Sequence, residues 1–161
     1  GAFLRRCAAA VLLAAAMPAV LFAAAMPVVL LAAAMPADAA DLAVEVRDLR
    51  SDAGEVRVGL FDVPATFATD DGKIGELILK IENRVARGTF PRLAPGTYAL
   101  ASYHDENGSR SFDRGLFGWP QEGFAFSNDA PVSFFGPPSF ARAAIIVPED
   151  GATVAIRMVY W

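Results

Sequence analysis

From Leu42 to Tyr160 the chain alternates apolar and polar residues with a period of two, in short runs separated by turn residues. Successive side chains of a strand point to opposite faces, so this pattern builds half-buried strands and leaves no stretch for a long amphipathic helix. Leu42, Val44 and Val46 alternate with Ala43, Glu45 and Arg47, and Val56, Val58 and Leu60 with Arg57, Gly59 and Phe61. The turn Ser51-Asp52-Ala53-Gly54 between them predicts a hairpin. Residues 64–69 predict one helical turn before Asp70-Asp71-Gly72. Leu77, Leu79 and Ile81 mark a third strand, residues 85–90 a weaker fourth, and Leu93-Ala94-Pro95-Gly96 turns the chain into a fifth over 97–103, with Tyr98 and Leu100 on one face. Residues 143–147 and the series Val154, Ile156, Met158 and Tyr160 give two more strands around Glu149-Asp150-Gly151. About seven short strands at this spacing predict an all-β fold, an antiparallel β-sandwich.

Residues 1–39 do not share the pattern. Arg5 and Arg6 precede an apolar stretch over 7–37, and Ala37-Asp38-Ala39 places small residues at the recognition positions of a cleavage site. This is the layout of a Sec-type signal peptide, cut after Ala39 to leave a single domain over 40–161 in the periplasm or outside the cell. The stretch is long because residues 11–19, 20–28 and 29–37 are near-identical copies of one nonapeptide. The alternative is an uncleaved membrane anchor. Pro18, Pro27 and Pro36 argue against it by interrupting any helix. Cys7, the sole cysteine, belongs to the leader, so the mature domain has no disulfide and no thiolate metal site. Once the leader's two basic residues and one acidic residue are set aside, 12 basic and 17 acidic residues remain. That balance excludes a general nucleic-acid binder, which needs a cationic surplus.

One segment breaks the strand rhythm. Residues 104–140 contain Trp119 and seven of the twelve phenylalanines, among them Phe112, Phe117, Phe124, Phe126 and Phe140, interleaved with glycine and proline. A connection this long is ordered by its own rings or is functional. Its rings either cap the strands as a secondary core or form a binding surface, for which Trp119, Phe117, Phe124, Phe126 and His104 are the candidate ligand contacts. Trp119, in a Gly-Trp-Pro turn, is the ring best placed for exposure.

Three blocks of this segment, His104-Asp105-Glu106-Asn107-Gly108, the run from Gly118-Trp119-Pro120 to Phe126-Ser127-Asn128, and Phe135-Gly136-Pro137-Pro138-Ser139-Phe140, resemble a bacterial family known as domain of unknown function 2141. The resemblance extends upstream to residues 56–61 and to Leu93-Ala94-Pro95-Gly96-Thr97-Tyr98. It implies an exported, single-domain β-sandwich and brings no established activity. The Leu-x-Pro-Gly-x-Tyr piece is also similar to transthyretin-like (prealbumin-like) domains, so the sandwich is expected to be immunoglobulin-like or prealbumin-like, with one long ordered loop.

Asp105, Asn107, Ser109, Ser111 and Asp113 fall at alternate positions, as the first five ligands of a calcium loop do, with Ser111 acting through its carbonyl. Arg110 stands where such loops place glycine, and Leu116 where they place a bidentate glutamate, so Glu122 would have to reach in from farther along. The competing reading is an Asx-rich turn that caps its own amides. His104, the only histidine, lies beside Asp105, but no nucleophile motif accompanies it, and catalytic zinc sites need two or three histidines. Glu106 and Glu122 are candidate paired carboxylates for sugar hydrolysis only at a suitable separation. The leading expectation is a non-enzymatic binding or structural module using the 104–140 segment on an envelope protein, a glycan or a small apolar ligand, with membrane contact only through an uncleaved leader. A calcium-stabilised envelope domain and a hydrolase built around His104 are the alternatives.

Overall fold

The computed structural model describes residues 39–133 and 136–161. The leader ahead of Ala39, with Cys7 and the nonapeptide copies, lies outside the described residues, as do Phe134, Phe135 and the side chain of Phe117. Among the described residues eight strands form: β1 (Ala40–Arg47), β2 (Glu55–Phe61), β3 (Gly75–Glu82), β4 (Val85–Leu93), β5 (Gly96–Asp105), β6 (Phe124–Phe126), β7 (Ile145–Val147) and β8 (Ala152–Arg157). The only α-helix among the described residues is one turn, α1 (Phe140–Ala143). The fold is all-β. Alternation decides which face is buried: β1 buries Ala40, Leu42, Val44 and Val46 and leaves the residues between them half-buried or exposed.

The strands follow the order β6-β5-β2-β3-β4-β1-β8, with β7 added to β5. β3 and β4 pair only at Ile81↔Ala86 and Glu82↔Val85. The turn between them is tight, with Asn83 and Arg84 at φ of 53° and 62°. Asp52 accepts hydrogen bonds from both of their amides, at 3.1 and 2.6 Å. Beyond this base β3 follows β2 and β4 follows β1. At the two ends of the order, Phe124 and Val159 exchange main-chain hydrogen bonds of 3.0 and 2.9 Å, so the sheet nearly closes on itself.

Two expectations need correction. β1 and β2 do not form a hairpin: β1 pairs with β4 and β8, and β2 with β3 and β5. Residues 48–54 instead carry the chain from one group of strands to the other, with Leu49 fully buried on the way. The sheet is not purely antiparallel, because β8 lies parallel to β1 from Leu42↔Ala152 to Arg47↔Arg157. β7 and β8, although consecutive around the turn at Gly151, take different partners. In each case alternation fixes the buried face of a strand and says nothing about its neighbour.

The main core joins the inward residues of β1, β2 and β5 to Leu79, Ile81, Phe90 and Ile156. A second cluster covers the opposite face of β2 and β5, where Phe61 and Ala99 meet Phe67, Phe124, Phe126, Ala130 and Ala143. Phe67 is its hub, packing edge to face on Phe61, Phe126 and Phe140 at centroid distances of 5.3, 5.9 and 5.8 Å. Much of the aromatic segment therefore acts as a secondary core. It also contains β6, a strand that periodicity does not reveal because all three of its residues are buried.

Candidate functional site

The outward residues of β2, Arg57, Gly59 and Phe61, lie beside Ala101 and Tyr103 of β5, which pair in register with Gly59 and Arg57. Phe124 and Phe126 of β6 continue this surface. The chain on either side rises around it: Ala68, Thr69, Asp70 and Lys73 along one flank, residues 111–120 with Val132, Ser133, Gly136 and Pro137 along the other, and Trp161 at the end of the tail. The result is a cleft of about 860 Å³, at the upper end of the range typical of small-molecule sites.

Its two ends differ. At the apolar end Trp119 packs at a tilt against Trp161 at 4.9 Å, and Phe124 lies 6.1 Å from the same ring. Trp119 is 48% exposed, so this indole pair faces both cleft and solvent. Phe112 leans on Tyr103 at 5.8 Å and on Phe124 at 6.2 Å, with Arg114 over its face. At the polar end Arg57 is bound by Glu55 at 2.7 Å, with Glu76 at 3.5 Å and Asp105 at 3.7 Å. Lys73 reaches Glu76 at 3.0 Å and Asp70 at 3.4 Å. Both of these cations are thus paired with neighbouring carboxylates, while Arg114, which also lines the cleft, lies over the Phe112 ring. Burial pushes the Tyr103 hydroxyl up to about 12, so it stays protonated. That hydroxyl has no hydrogen-bond partner among the described residues.

His104 lies elsewhere. It is fully buried, and both ring nitrogens are engaged: Nδ1 is 2.6 Å from the Tyr160 hydroxyl and Nε2 is 2.7 Å from the Ala53 carbonyl. The Ala53 carbonyl can only accept, so Nε2 carries the proton and Nδ1 accepts from Tyr160. The Tyr160 hydroxyl in turn accepts from the Arg50 amide at 3.1 Å. No nitrogen is left to take a proton from a substrate, so His104 ties the tail to the β1–β2 connection. Glu106 is held by Arg50 and by Ser51 Oγ at 2.8 Å. Glu122 is buried, and neither glutamate lines the cleft, so the paired-carboxylate arrangement does not form there.

The alternating polar residues after β5 form a closed turn. Asp105 Oδ1 and Oδ2 accept from the amides of Ser109 and Arg110 at 3.0 and 2.8 Å. Asn107 Oδ1 also accepts from Ser109, while its Nδ2 donates to Asp113 Oδ2 at 2.7 Å. Ser109 Oγ donates to the Ser111 carbonyl, and Ser111 Oγ to Asp113 Oδ1. Arg110 does take the left-handed turn, at φ 64°, because the Asp105 carboxylate holds its amide there. Glu122 Oε2 accepts from the Asp113 amide at 3.1 Å. Leu116 is 86% exposed and far from a ligand's role. Among the described residues no three acidic, histidine or cysteine side chains converge on one metal-binding point.

Of the expected contacts, Trp119, Phe124 and Phe126 line the cleft and His104 does not. Sequence reasoning passed over Phe61, Tyr103 and Trp161. The parity of Phe61 and Tyr103, opposite to the main-core residues of their strands, was the available signal; for Trp161 there was none. A family model described as uncharacterised protein conserved in bacteria, domain of unknown function 2141, matches residues 44–155. Searches of curated proteins and of solved structures give no match.

Proposed function

We propose that this chain, which belongs to the bacterial family of domain of unknown function 2141, is an exported, non-enzymatic binding module that holds an uncharged, ring-bearing small molecule in its aromatic cleft. The observation that carries the reading is a roomy cleft walled by rings, whose polar end holds Arg57 and Lys73 already paired with carboxylates. Aromatic walls supply apolar contact area and ring stacking, and the unpartnered Tyr103 hydroxyl supplies one donor to orient an acceptor group on the ligand. Export rests on the leader, with Ala40 as the first mature residue and the periplasm or exterior as destination. The scaffold is read as a two-layer sandwich of prealbumin type, which the brief β3–β4 pairing supports.

N-phenyl-1-naphthylamine, an uncharged ring-bearing fluorophore, tests this. It should bind saturably with a rise in emission, and Ala101→Phe, which fills the cleft floor, should weaken binding about tenfold or more with little change in melting temperature. Non-saturable emission, or an unchanged affinity in a folded Ala101→Phe protein, refutes the proposal.

A further inference from the structure

We infer that the turn following β5 is a calcium site in which Glu122 completes a shell begun by Asp105, Asn107 and Asp113. Glu122 is only 5% exposed, and its Oε1 is buried with no hydrogen-bond partner among the described residues. Buried carboxylate oxygens are almost always partnered, so this one faces a missing donor or cation. The glutamate is fixed against the turn by the Asp113 amide on its other oxygen.

The surrounding charge favours a cation. The nearest compensating charge on Asp105 is Arg57 Nε at 3.7 Å, and that arginine is already shared with Glu55 and Glu76. Asp105 and Asp113 each accept one hydrogen bond per carboxylate oxygen, which leaves a lone pair on every oxygen. The donor set is entirely oxygen, which suits a hard ion and not zinc. Calcium completes its six to eight ligands with amide oxygens, main-chain carbonyls and water, so it does not require three carboxylates to converge in advance.

Ser111 and Phe112 carry the turn into the cleft wall, yet the site is independent of the ligand proposed there and is read by a different signal. Thermal unfolding of the full chain, after chelator treatment, is compared in millimolar calcium, millimolar magnesium and excess chelator. Calcium alone should raise the midpoint by about 3 °C or more, and calorimetric titration should show one site per chain. Glu122→Gln, nearly isosteric, should remain folded and lose the calcium response, and Asp113→Asn at the turn's rim should weaken it. Equal midpoints in calcium and chelator would assign the Glu122 oxygen to a proton or a buried water and overturn the inference. A full calcium response in folded Glu122→Gln, or an equal response to magnesium, overturns it as well.

Discussion

Tyr160 and His104 form a tie whose strength lies in the absence of slack. Tyr160 receives the Arg50 amide and donates to His104, which donates to Ala53, so three segments share one chain of hydrogen bonds. Tyr160→Phe leaves a buried imidazole nitrogen and an amide without partners. It should cost about 1–3 kcal/mol in urea unfolding without changing fluorophore binding. Glu106 adds a pH term. The Arg50 guanidinium holds its carboxyl down at about 2, ahead of burial, which acts the other way. A depressed folded-state value means that this stabilisation is present above the ordinary glutamate range, near 4.5, and is lost as pH falls toward about 2. Glu106→Gln should therefore flatten the acid limb of a stability–pH profile between those values. The sequence places His104 directly after the predicted strand over 97–103. It gives no means of finding Tyr160 as the second partner, because nothing local links positions so far apart.

At the scale of elements, the aromatic segment and the two short 3-10 turns ahead of β3, Pro64–Thr66 and Asp70–Gly72, form a single packed unit. Phe67 joins them, and Phe67→Ala should cost about 3–5 kcal/mol in chemical denaturation because it removes a buried ring with three edge-to-face partners. Gly123 matters for the room it leaves, since a Cβ there would lie 2.3 Å from the Tyr160 ring and 2.8 Å from Met158 Cγ. Gly123→Ala should displace the tail, lower stability by about 1–3 kcal/mol and disturb the Phe124–Val159 bridge, which amide exchange at those two residues would report. Strand positions and buried faces were legible because parity is a local property. The β1–β2 connection read as a hairpin because a turn between two alternating runs looks the same whether the strands pair or part. β6 was hidden because a strand covered on both faces does not alternate.

Across the whole molecule, the near-closed sheet supplies rigidity and the excursion between β5 and β7 supplies shape. Phe61 and Tyr103 point away from the main core and would be exposed on an open sheet. The segment carrying Trp119, Phe124 and Phe126 turns that outer face into a cleft. Membership of the family was readable from three loop blocks, whereas the cleft was not, since its floor comes from strands and its walls from loops far apart in the chain. Under the proposed function the cleft rings, and not the main core, receive the ligand. Aromatic carbon–proton NMR spectra recorded during titration with N-phenyl-1-naphthylamine test it most directly. Saturable shifts should appear for Tyr103, Phe112, Trp119, Phe124 and Trp161, with methyl signals of Leu42, Val46 and Ile156 unmoved; shifts spread evenly over both groups, or none that saturate, would contradict it.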